Sequence, residues 1–274
     1  MPHLSGLFLY PVKSLRGCAV TELAVDELGP VGDRRFLIVD EGGRFLTQRV
    51  LPRMARISTA LTTDLLQLSA EGAGTVQVPR RADPAAPLRT VAIWKNEGLL
   101  AEDCGDASAA WLTDLLATRC RLVRIGRKFH RPLKPSKAQP GDVVSFADAY
   151  PFLILGEASL AVLNDRLLEN EVEPVPMDRF RANLIVSDCA PFAEDTWTRC
   201  RIGDLTFRAG GPCARCIMTT TDQATGERTG PEPLHTLAQF RRDAGKPSEV
   251  NFGQNLIHET KSGILRLADP VTIL

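Results

Sequence analysis

Two cysteines and an arginine stand close together in the segment 211–222. Cys213 and Cys216 are separated by two residues, and Arg215 directly precedes the second cysteine. Thiolates are soft metal ligands, and an arginine beside them can bind phosphate or carboxylate groups through paired hydrogen bonds. The spacing therefore predicts a bound metal or an anionic cofactor.

Three other interpretations of this cysteine pair stay open. A structural zinc site needs about four ligands, and no second close pair exists among the other cysteines: Cys18, Cys104, Cys120, Cys189 and Cys200. A thioredoxin-type redox pair gains thiolate character from a helix N-terminus, whereas the β-branched run 217–221 predicts a strand after Cys216. In the third interpretation the two cysteines are partly buried and only pack, as free cysteines often do.

Composition limits the classes of partner. The 274 residues include 33 basic and 33 acidic side chains, so no overall positive field attracts nucleic acid or a membrane surface. No apolar run approaches the length of a membrane span, and the first twelve residues lack the features of a signal peptide. The odd number of cysteines, seven, suits reduced thiols. We therefore expect a soluble cytoplasmic protein with no nucleic-acid partner and no membrane span, whose anion site is local.

Short β-type runs dominate the first hundred residues, at 4–12, 20–25, 34–39, 44–48, 55–61, 75–78 and 90–94. The sequence Asp40-Glu41-Gly42-Gly43 predicts a tight β-hairpin, because these residues accept positive φ. A helix is predicted to begin at Asp106 or Ser108 and to end near Thr118, before a strand at 121–125.

The second half of the chain begins with a basic, proline-rich segment at 127–141, which predicts a linker or mobile loop or, alternatively, a docking segment for an acidic partner. Helices are predicted at 157–170 and 233–243. Strands are predicted at 180–187, 199–202, 205–208, 217–221, 255–258, 264–267 and 271–274. Many short strands with three separate helices indicate an α+β, mainly β fold of barrel-like form.

Several separated motifs carry a family resemblance because they occur in a shared order. They are Tyr10-Pro11-Val12-Lys13-Ser14, Asp33-Arg34, Pro151-Phe152-Leu153-Ile154-Leu155, Arg181-Ala182-Asn183, Ala193-Glu194-Asp195-Thr196-Trp197, the cysteine segment, Glu232-Pro233-Leu234 and Phe252-Gly253-Gln254. The chain resembles the MOSC proteins (molybdenum cofactor sulfurase C-terminal domain) nearly end to end. It is most similar to the branch of the mitochondrial amidoxime-reducing component and its bacterial relatives. That resemblance implies a β-rich N-terminal domain at 1–125 and a β-barrel-like MOSC domain at 126–274.

The resemblance also implies a molybdenum cofactor, molybdopterin with molybdenum, whose metal takes Cys216 as its protein ligand. It implies a cofactor-binding set of Lys13, Ser14, Arg34, Arg181, Asn183, Arg215 and Asn255. Cys189 matches a second family cysteine near the metal and joins Cys216 as a candidate catalytic residue. The chain departs from the eukaryotic branch at Ala149-Tyr150, where that branch has Thr-Ser, at Asn255, where it has Tyr, and at Ala190, where an Asp can stand.

The function implied is reduction of small N-hydroxylated compounds by cleavage of the N–O bond. No flavin or nicotinamide motif is evident, so an external electron-transfer protein is expected, either ferredoxin-like or cytochrome-like. Glu194, Asp195 and His258 have the chemistry of proton carriers. The alternatives are a carrier of molybdenum cofactor or of sulfur, held as a cysteine persulfide, and a structural or partner-binding β protein.

Overall fold

The computed structural model describes residues 1–134 and 137–274. In these ranges the helices are α1 (Asp106–Leu116), α2 (Glu157–Glu169) and α3 (Leu234–Phe240). The strands are β1 (His3–Leu9), β2 (Cys18–Val20), β3 (Glu22–Asp26), β4 (Gly29–Pro30), β5 (Phe36–Asp40), β6 (Ser58–Leu61), β7 (Leu65–Ala70), β8 (Gly74–Pro79), β9 (Leu88–Ile93), β10 (Asn96–Asp103), β11 (Cys120–Arg124), β12 (Phe152–Gly156), β13 (Leu184–Ser187), β14 (Arg199–Ile202), β15 (Leu205–Ala214), β16 (Asn251–His258), β17 (Gly263–Arg266) and β18 (Val271–Ile273). Short 3₁₀ turns occur at Pro52–Arg56, Met177–Phe180, Ala193–Thr196 and Ile217–Thr220.

The largest sheet has eight strands in the order β18-β14-β15-β16-β12-β13-β1-β2. All neighbours are antiparallel except β12 and β13, which are parallel and are joined through α2, as a parallel pair requires. β1 comes from the start of the chain and pairs with β13, with Leu7 opposite Leu184. This sheet is therefore built from both halves of the chain.

The two faces of this sheet bury two separate cores, because successive side chains of a strand point in opposite directions. Ile154 packs into one core with Phe152 and Phe207, and β3 and β17 close over that core with Leu23 and Leu265. Neighbouring residues of the strands pack on the other side, against α2 and α3, in the cluster Leu155, Leu163, Phe180, Leu237 and Phe252. The result is a barrel-like body carrying helices on one face.

The N-terminal half contributes two smaller sheets, β5-β11-β10-β9 and β6-β7-β8. Leu112 and Leu116 of α1 are fully buried against Ile38, Leu66 and Leu122 from both sheets. The α+β, mainly β fold class, with a β-rich N-terminal part before the barrel-like part, is confirmed. The division near residue 125 stays a prediction. Strands of the two halves share sheets, since β1 pairs with β13 and β3 pairs with β17.

The strand predicted at 217–221 was wrong. Ile217–Thr220 is a 3₁₀ turn, and its first backbone hydrogen bond runs from Thr219 N to Cys216 O at 3.0 Å. The hydroxyls of Thr219 and Thr220 donate to Cys216 O and Ile217 O at 3.1 Å and 2.8 Å. Such local bonds compete with a sheet ladder despite the β-branched side chains. A single 3₁₀ turn also aligns few amides, so it gives a thiolate little dipole support.

Other boundaries differ in the first half. Residues 44–48 form no strand, and the hairpin predicted at Asp40 is a tight turn followed by one bridge between Val39 and Phe45. The Asp40 carboxylate accepts from the amides of Gly42 and Arg44, which satisfies the turn without a second strand. The strands β4, β7, β10 and β12 were not anticipated from the sequence.

The basic segment 127–141 is only partly a solvated loop. Arg131 is buried, and its guanidinium donates to the carbonyls of Ser145, Ala147 and Asp148. Burial lowers the pKa of Arg131 to about 10. Lys128 and Lys134 are exposed, whereas Pro135 and Ser136 of the predicted loop lie outside the described residues.

Candidate functional site

A cavity of about 330 Å³ opens between the two halves of the chain. Cys216 lies in its wall together with six cationic side chains: Lys13, Arg34, Arg49, Arg179, Arg181 and Arg215. Within the described lining, Asp148 is the single carboxylate. The cavity therefore carries a strong positive charge although the whole chain is neutral, as the sequence predicted for a local anion site.

The cysteine segment reaches the cavity at the end of β15. Gly211 has φ +111°, a conformation that favours glycine, and two register shifts near it interrupt the regular pairing of β15 with β16. The Arg215 amide then bonds to Val250 O at 2.7 Å. The Arg215 guanidinium donates to Cys213 Sγ at 3.0 Å and to Phe180 O at 2.6 Å, which fixes it beside Cys213.

Lys13 is buried beneath the cavity floor and forms an ion pair with Asp148. Its Nζ also donates to Phe146 O at 2.8 Å. Burial lowers the pKa of Lys13 to about 8, and Asp148 opposes that shift. The carboxyl of Asp148 faces the cavity with 47% of its side chain accessible. Burial works against its charge, but Lys13 and Arg49 hold its pKa well below the ordinary value.

Arg49 connects this ion pair to Cys216. Its Nη2 donates to Asp148 Oδ2 at 3.2 Å, and its guanidinium stacks on Trp94 at 4.6 Å. Trp94 Nε1 donates to Asp148 Oδ1 at 3.1 Å. Burial opposes the charge of Arg49, yet Asp148 and the neighbouring Cys216 raise its pKa. A permanently charged guanidinium therefore stands beside the cysteine.

The ring of Tyr10 supports two other cavity cations. The guanidinium groups of Arg34 and Arg181 lie 4.3 Å and 4.4 Å from its centroid, a cation–π geometry. Burial raises the pKa of Tyr10 to about 12 and lowers that of Arg181 to about 10. Arg181 Nη1 donates to Leu15 O at 2.7 Å. The Tyr10-Pro11 motif thus positions charges from both halves of the chain.

Asp33 joins the remaining motifs beneath the cavity. Its Oδ1 accepts from the Tyr10 amide at 2.8 Å and from Asn183 Nδ2 at 3.1 Å, while its Oδ2 accepts from Arg34 Nη1 at 2.6 Å. Asn183 Oδ1 also accepts from Arg34 Nη1, at 3.1 Å. These bonds explain why Asp33-Arg34 and Asn183 occur together: the acid and the amide orient the guanidinium.

Three of the predicted cofactor-binding residues have a left-handed backbone. The φ angles are 67° at Ser14, 46° at Arg34 and 55° at Arg181. Such conformations are disfavoured for residues with a side chain and tend to occur at functional sites. Their presence together in one cavity wall is a second, independent sign of a binding site.

Four buried guanidinium nitrogens at the cavity have no hydrogen-bond partner within the described residues: Arg49 Nη1, Arg179 Nε, Arg181 Nη2 and Arg215 Nε. Buried donors are normally satisfied, so these atoms fit an anionic ligand with several acceptor oxygens. The donor set, six cations with the two thiols Cys213 and Cys216, therefore suits a phosphate-bearing group whose soft metal takes a cysteine.

The cavity brings together all the predicted cofactor-binding residues. Asn255 lies at its edge, where Nδ2 donates to the carbonyls of Gly211 and Pro212, both at 3.1 Å. Tyr150 and Ala149 also line the cavity. Sequence reasoning missed Arg49, Asp148 and Arg179. Their signals are weak, since each is one charged residue in a loop or short turn without a motif of its own.

Cys189 is not part of the cavity lining. It is half-buried and packs against the core that contains Phe152 and Phe207. Burial raises the pKa of its thiol, and the nearby Glu194 charge acts in the same direction. Its assignment as a catalytic residue stays a prediction.

The three residues considered as proton carriers have structural contacts away from the cavity lining. Glu194 accepts from the Gly156 amide and the Ser159 hydroxyl at the start of α2. Asp195 forms an ion pair with Arg241. His258 Nε2 donates to Asp26 O at 2.8 Å and is fully buried.

Residues 1–134 and 137–274 contain no group of three or more His, Cys, Asp or Glu side chains arranged to hold a metal ion. A site with one protein thiolate does not require such a group. In the same ranges, every helix is too short or too polar to cross a bilayer.

Comparison with known families assigns both parts of the chain. Residues 1–119 match the MOSC N-terminal beta barrel domain, and residues 114–272 match the MOSC domain. The chain belongs to the MOSC family. This MOSC protein is 35% identical to the human mitochondrial amidoxime-reducing component 1, over 98% of the chain and 82% of the relative. The mouse protein of the same name is also 35% identical, over 98% and 81%. Molybdenum cofactor sulfurase from Danio rerio is 34% identical, over 94% of this MOSC protein and 32% of that larger protein.

Proposed function

We propose that this MOSC protein is a molybdenum-cofactor-dependent reductase of small N-hydroxylated compounds that receives electrons from an external carrier. The observation that carries the proposal is the cationic cavity with Cys216 in its wall and unpartnered guanidinium donors around it. The names of the relatives, amidoxime-reducing component and molybdenum cofactor sulfurase, support the same chemistry.

In this proposal the cations hold the cofactor and Cys216 ligates its metal. Arg34 and Arg181, oriented by Tyr10 and Asn183, would bind phosphate oxygens by charge-assisted hydrogen bonds. Arg215, fixed by its bond to Phe180 O, would neutralise charge beside Cys216. When bound, the molybdenum cofactor supplies the redox chemistry that takes oxygen from an N–O bond.

Asp148 would orient the substrate. Its carboxylate stays ionised, lines the cavity and accepts from Trp94. A carboxylate binds amidine and guanidine N–H groups well. Asp148 therefore favours N-hydroxylated amidines over anionic substrates.

The test is benzamidoxime reduction driven by dithionite-reduced methyl viologen, using protein from a host that makes molybdenum cofactor. Cys216→Ala should lose at least 100-fold in turnover, an order-of-magnitude expectation for removal of a ligand. Cys18→Ala is the matched control, because Cys18 is a half-buried thiol outside the cavity lining. Native protein that contains cofactor but does not reduce benzamidoxime or hydroxylamines would refute the reductase proposal.

A second candidate is a carrier of cofactor or sulfur. It is favoured by the match to molybdenum cofactor sulfurase over nearly the whole chain and by the second thiol, Cys213, which accepts from Arg215. Mass spectrometry of purified protein distinguishes the two: a persulfide on Cys213 or Cys216 without bound pterin supports the carrier.

The cytoplasmic location expected from the sequence stays a prediction.

A further inference from the structure

A second depression lies directly behind the loop that carries Cys216. It is a groove of about 750 Å³ between the 3₁₀ turn Ile217–Thr220 and α3. The turn has two faces: Cys216 and Thr219 line the cavity, whereas Ile217 and Thr220 line the groove. Arg215 lines both. Cavity and groove are therefore separated by a single turn of chain.

The groove surface combines an apolar centre with positive charge. Ile217, which directly follows the candidate metal ligand, is 48% exposed. Leu234 and Val250 line the groove beside it. The charged or titratable lining residues that the structure describes are Arg215, Arg228, His235 and Arg242, with no carboxylate among them. Apolar contact framed by one sign of charge is typical of a docking surface for a partner of opposite charge.

The turn between groove and cavity limits which reactant can reach the site from the groove. A substrate oxygen must touch the reacting centre, and the turn blocks that approach from the groove. Electrons need only a short path through packed atoms, and the chain from Ile217 to Cys216 provides one. We propose that the groove is the docking surface for an acidic electron-transfer protein, so that electrons and substrate enter from opposite sides of the Cys216 loop. This inference rests on the proposed reductase function.

The electron balance requires repeated docking. Cleavage of one N–O bond consumes two electrons and two protons and yields the N–H compound and one water. A carrier with a single [2Fe–2S] cluster or a single haem delivers one electron and is oxidised by one electron at each encounter. Two encounters are needed per turnover, so fast, charge-steered and weak association suits the task.

The experiment compares donors and charge reversals in the holoenzyme. Benzamidoxime reduction is driven by an acidic plant-type [2Fe–2S] ferredoxin, by an acidic single-haem cytochrome and, separately, by reduced methyl viologen. The test variant is His235→Glu with Arg242→Glu, since both side chains are exposed and neither forms an ion pair in the described chain. Arg201→Glu is the control for an exposed charge outside the groove, and Lys128→Glu probes the basic segment 127–141.

We expect the groove variant to lower kcat/KM for at least one protein donor roughly tenfold at low salt, with a weaker salt dependence. Viologen-driven turnover and cofactor content should not change, and Arg201→Glu should match the native protein. Three outcomes would each overturn the docking proposal. The groove variant could have the same kcat/KM for the protein donors as the native protein, or Lys128→Glu could be the variant that slows them. Both acidic donors could also fail while viologen supports turnover. Absence of viologen-driven turnover in the native holoenzyme would instead count against the reductase function.

Discussion

At the scale of single residues, Asp148 balances two cations that the cavity holds in place. It pairs with buried Lys13 and with Arg49, and it accepts from Trp94. Removing one partner of a buried ion pair leaves the other charge without compensation. The stability of the cavity therefore depends on a residue that no sequence motif indicated.

Asp148→Asn should destabilise the protein by about 1–2 kcal/mol, less than for a fully buried pair because the carboxyl is accessible. Thermal unfolding of the cofactor-free protein measures this change. Glu249→Gln is the matched control, since Glu249 forms an exposed pair with Lys246 and should shift stability by less than about 0.5 kcal/mol. Equal unfolding temperatures for both variants would show that Lys13 does not depend on Asp148.

Arg181→Met should separate cofactor retention from stability. Burial disfavours the charge of Arg181, as its lowered pKa shows. Removing this buried charge therefore stabilises the fold and offsets the loss of the hydrogen bond to Leu15 O. We expect the unfolding free energy of the cofactor-free protein to change by less than about 1 kcal/mol. Pterin retention should fall roughly tenfold, because one charge-assisted contact is lost.

Two measurements are needed. Thermal unfolding gives the stability, and pterin fluorescence after chemical oxidation gives the pterin content. Arg201→Met, an exposed arginine away from the cavity, should retain the native pterin content. Full pterin content in Arg181→Met would exclude this arginine from the anion-binding set.

At the scale of elements, the sequence was most informative where periodicity and motif agreed. Helix α2 was predicted at 157–170 and is observed at Glu157–Glu169. The turn after Cys216 was mispredicted because β-branched side chains favour strands on average, whereas here the Thr hydroxyls bond to local carbonyls. The exposed face of that turn, and with it the groove, could not be read from the sequence.

His258 links β16 to β3 and should give stability a pH dependence. Burial lowers its pKa from 6.5 to about 4, so the folded protein binds this proton less readily than the unfolded chain. The stabilisation is present above about pH 6.5 and is lost as the pH falls through about 4, by at most about 3 kcal/mol.

Urea unfolding at a series of pH values measures this effect. His258→Gln keeps an N–H donor toward Asp26 O but does not titrate, so it should flatten the stability profile between about pH 4 and 6.5. A profile with the same slope as the native protein would assign the acid sensitivity to other groups.

At the scale of the whole molecule, the two halves of the chain share sheets and the cavity. The sequence correctly predicted a mainly β fold. The order of its motifs also assigned Lys13, Arg34, Arg181 and Cys216 to one predicted site. It did not predict that β1 and β2 belong to the largest sheet or that β3 pairs with β17. Pairing between strands far apart in the chain depends on tertiary packing, which local patterns do not encode.

Shared sheets should make the two halves unfold together. Trp111 lies in α1 of the first half and Trp197 is buried in the barrel-like core of the second. With Trp94 and one of these two replaced by Phe, the remaining tryptophan reports on its own half. We expect coincident urea midpoints for the two reporters. Midpoints that remain separated at equal overall stability would show that the halves are independent domains.

The central claim is that Cys216 and the surrounding cations hold a molybdenum cofactor, and the most direct measurement is metal and pterin content. Native protein and Cys216→Ala are produced side by side in a host that makes the cofactor, with Cys18→Ala as control. The account predicts near-equal molybdenum and pterin in the native protein and in the control, with loss of molybdenum in Cys216→Ala. Absence of both from all three preparations would contradict it.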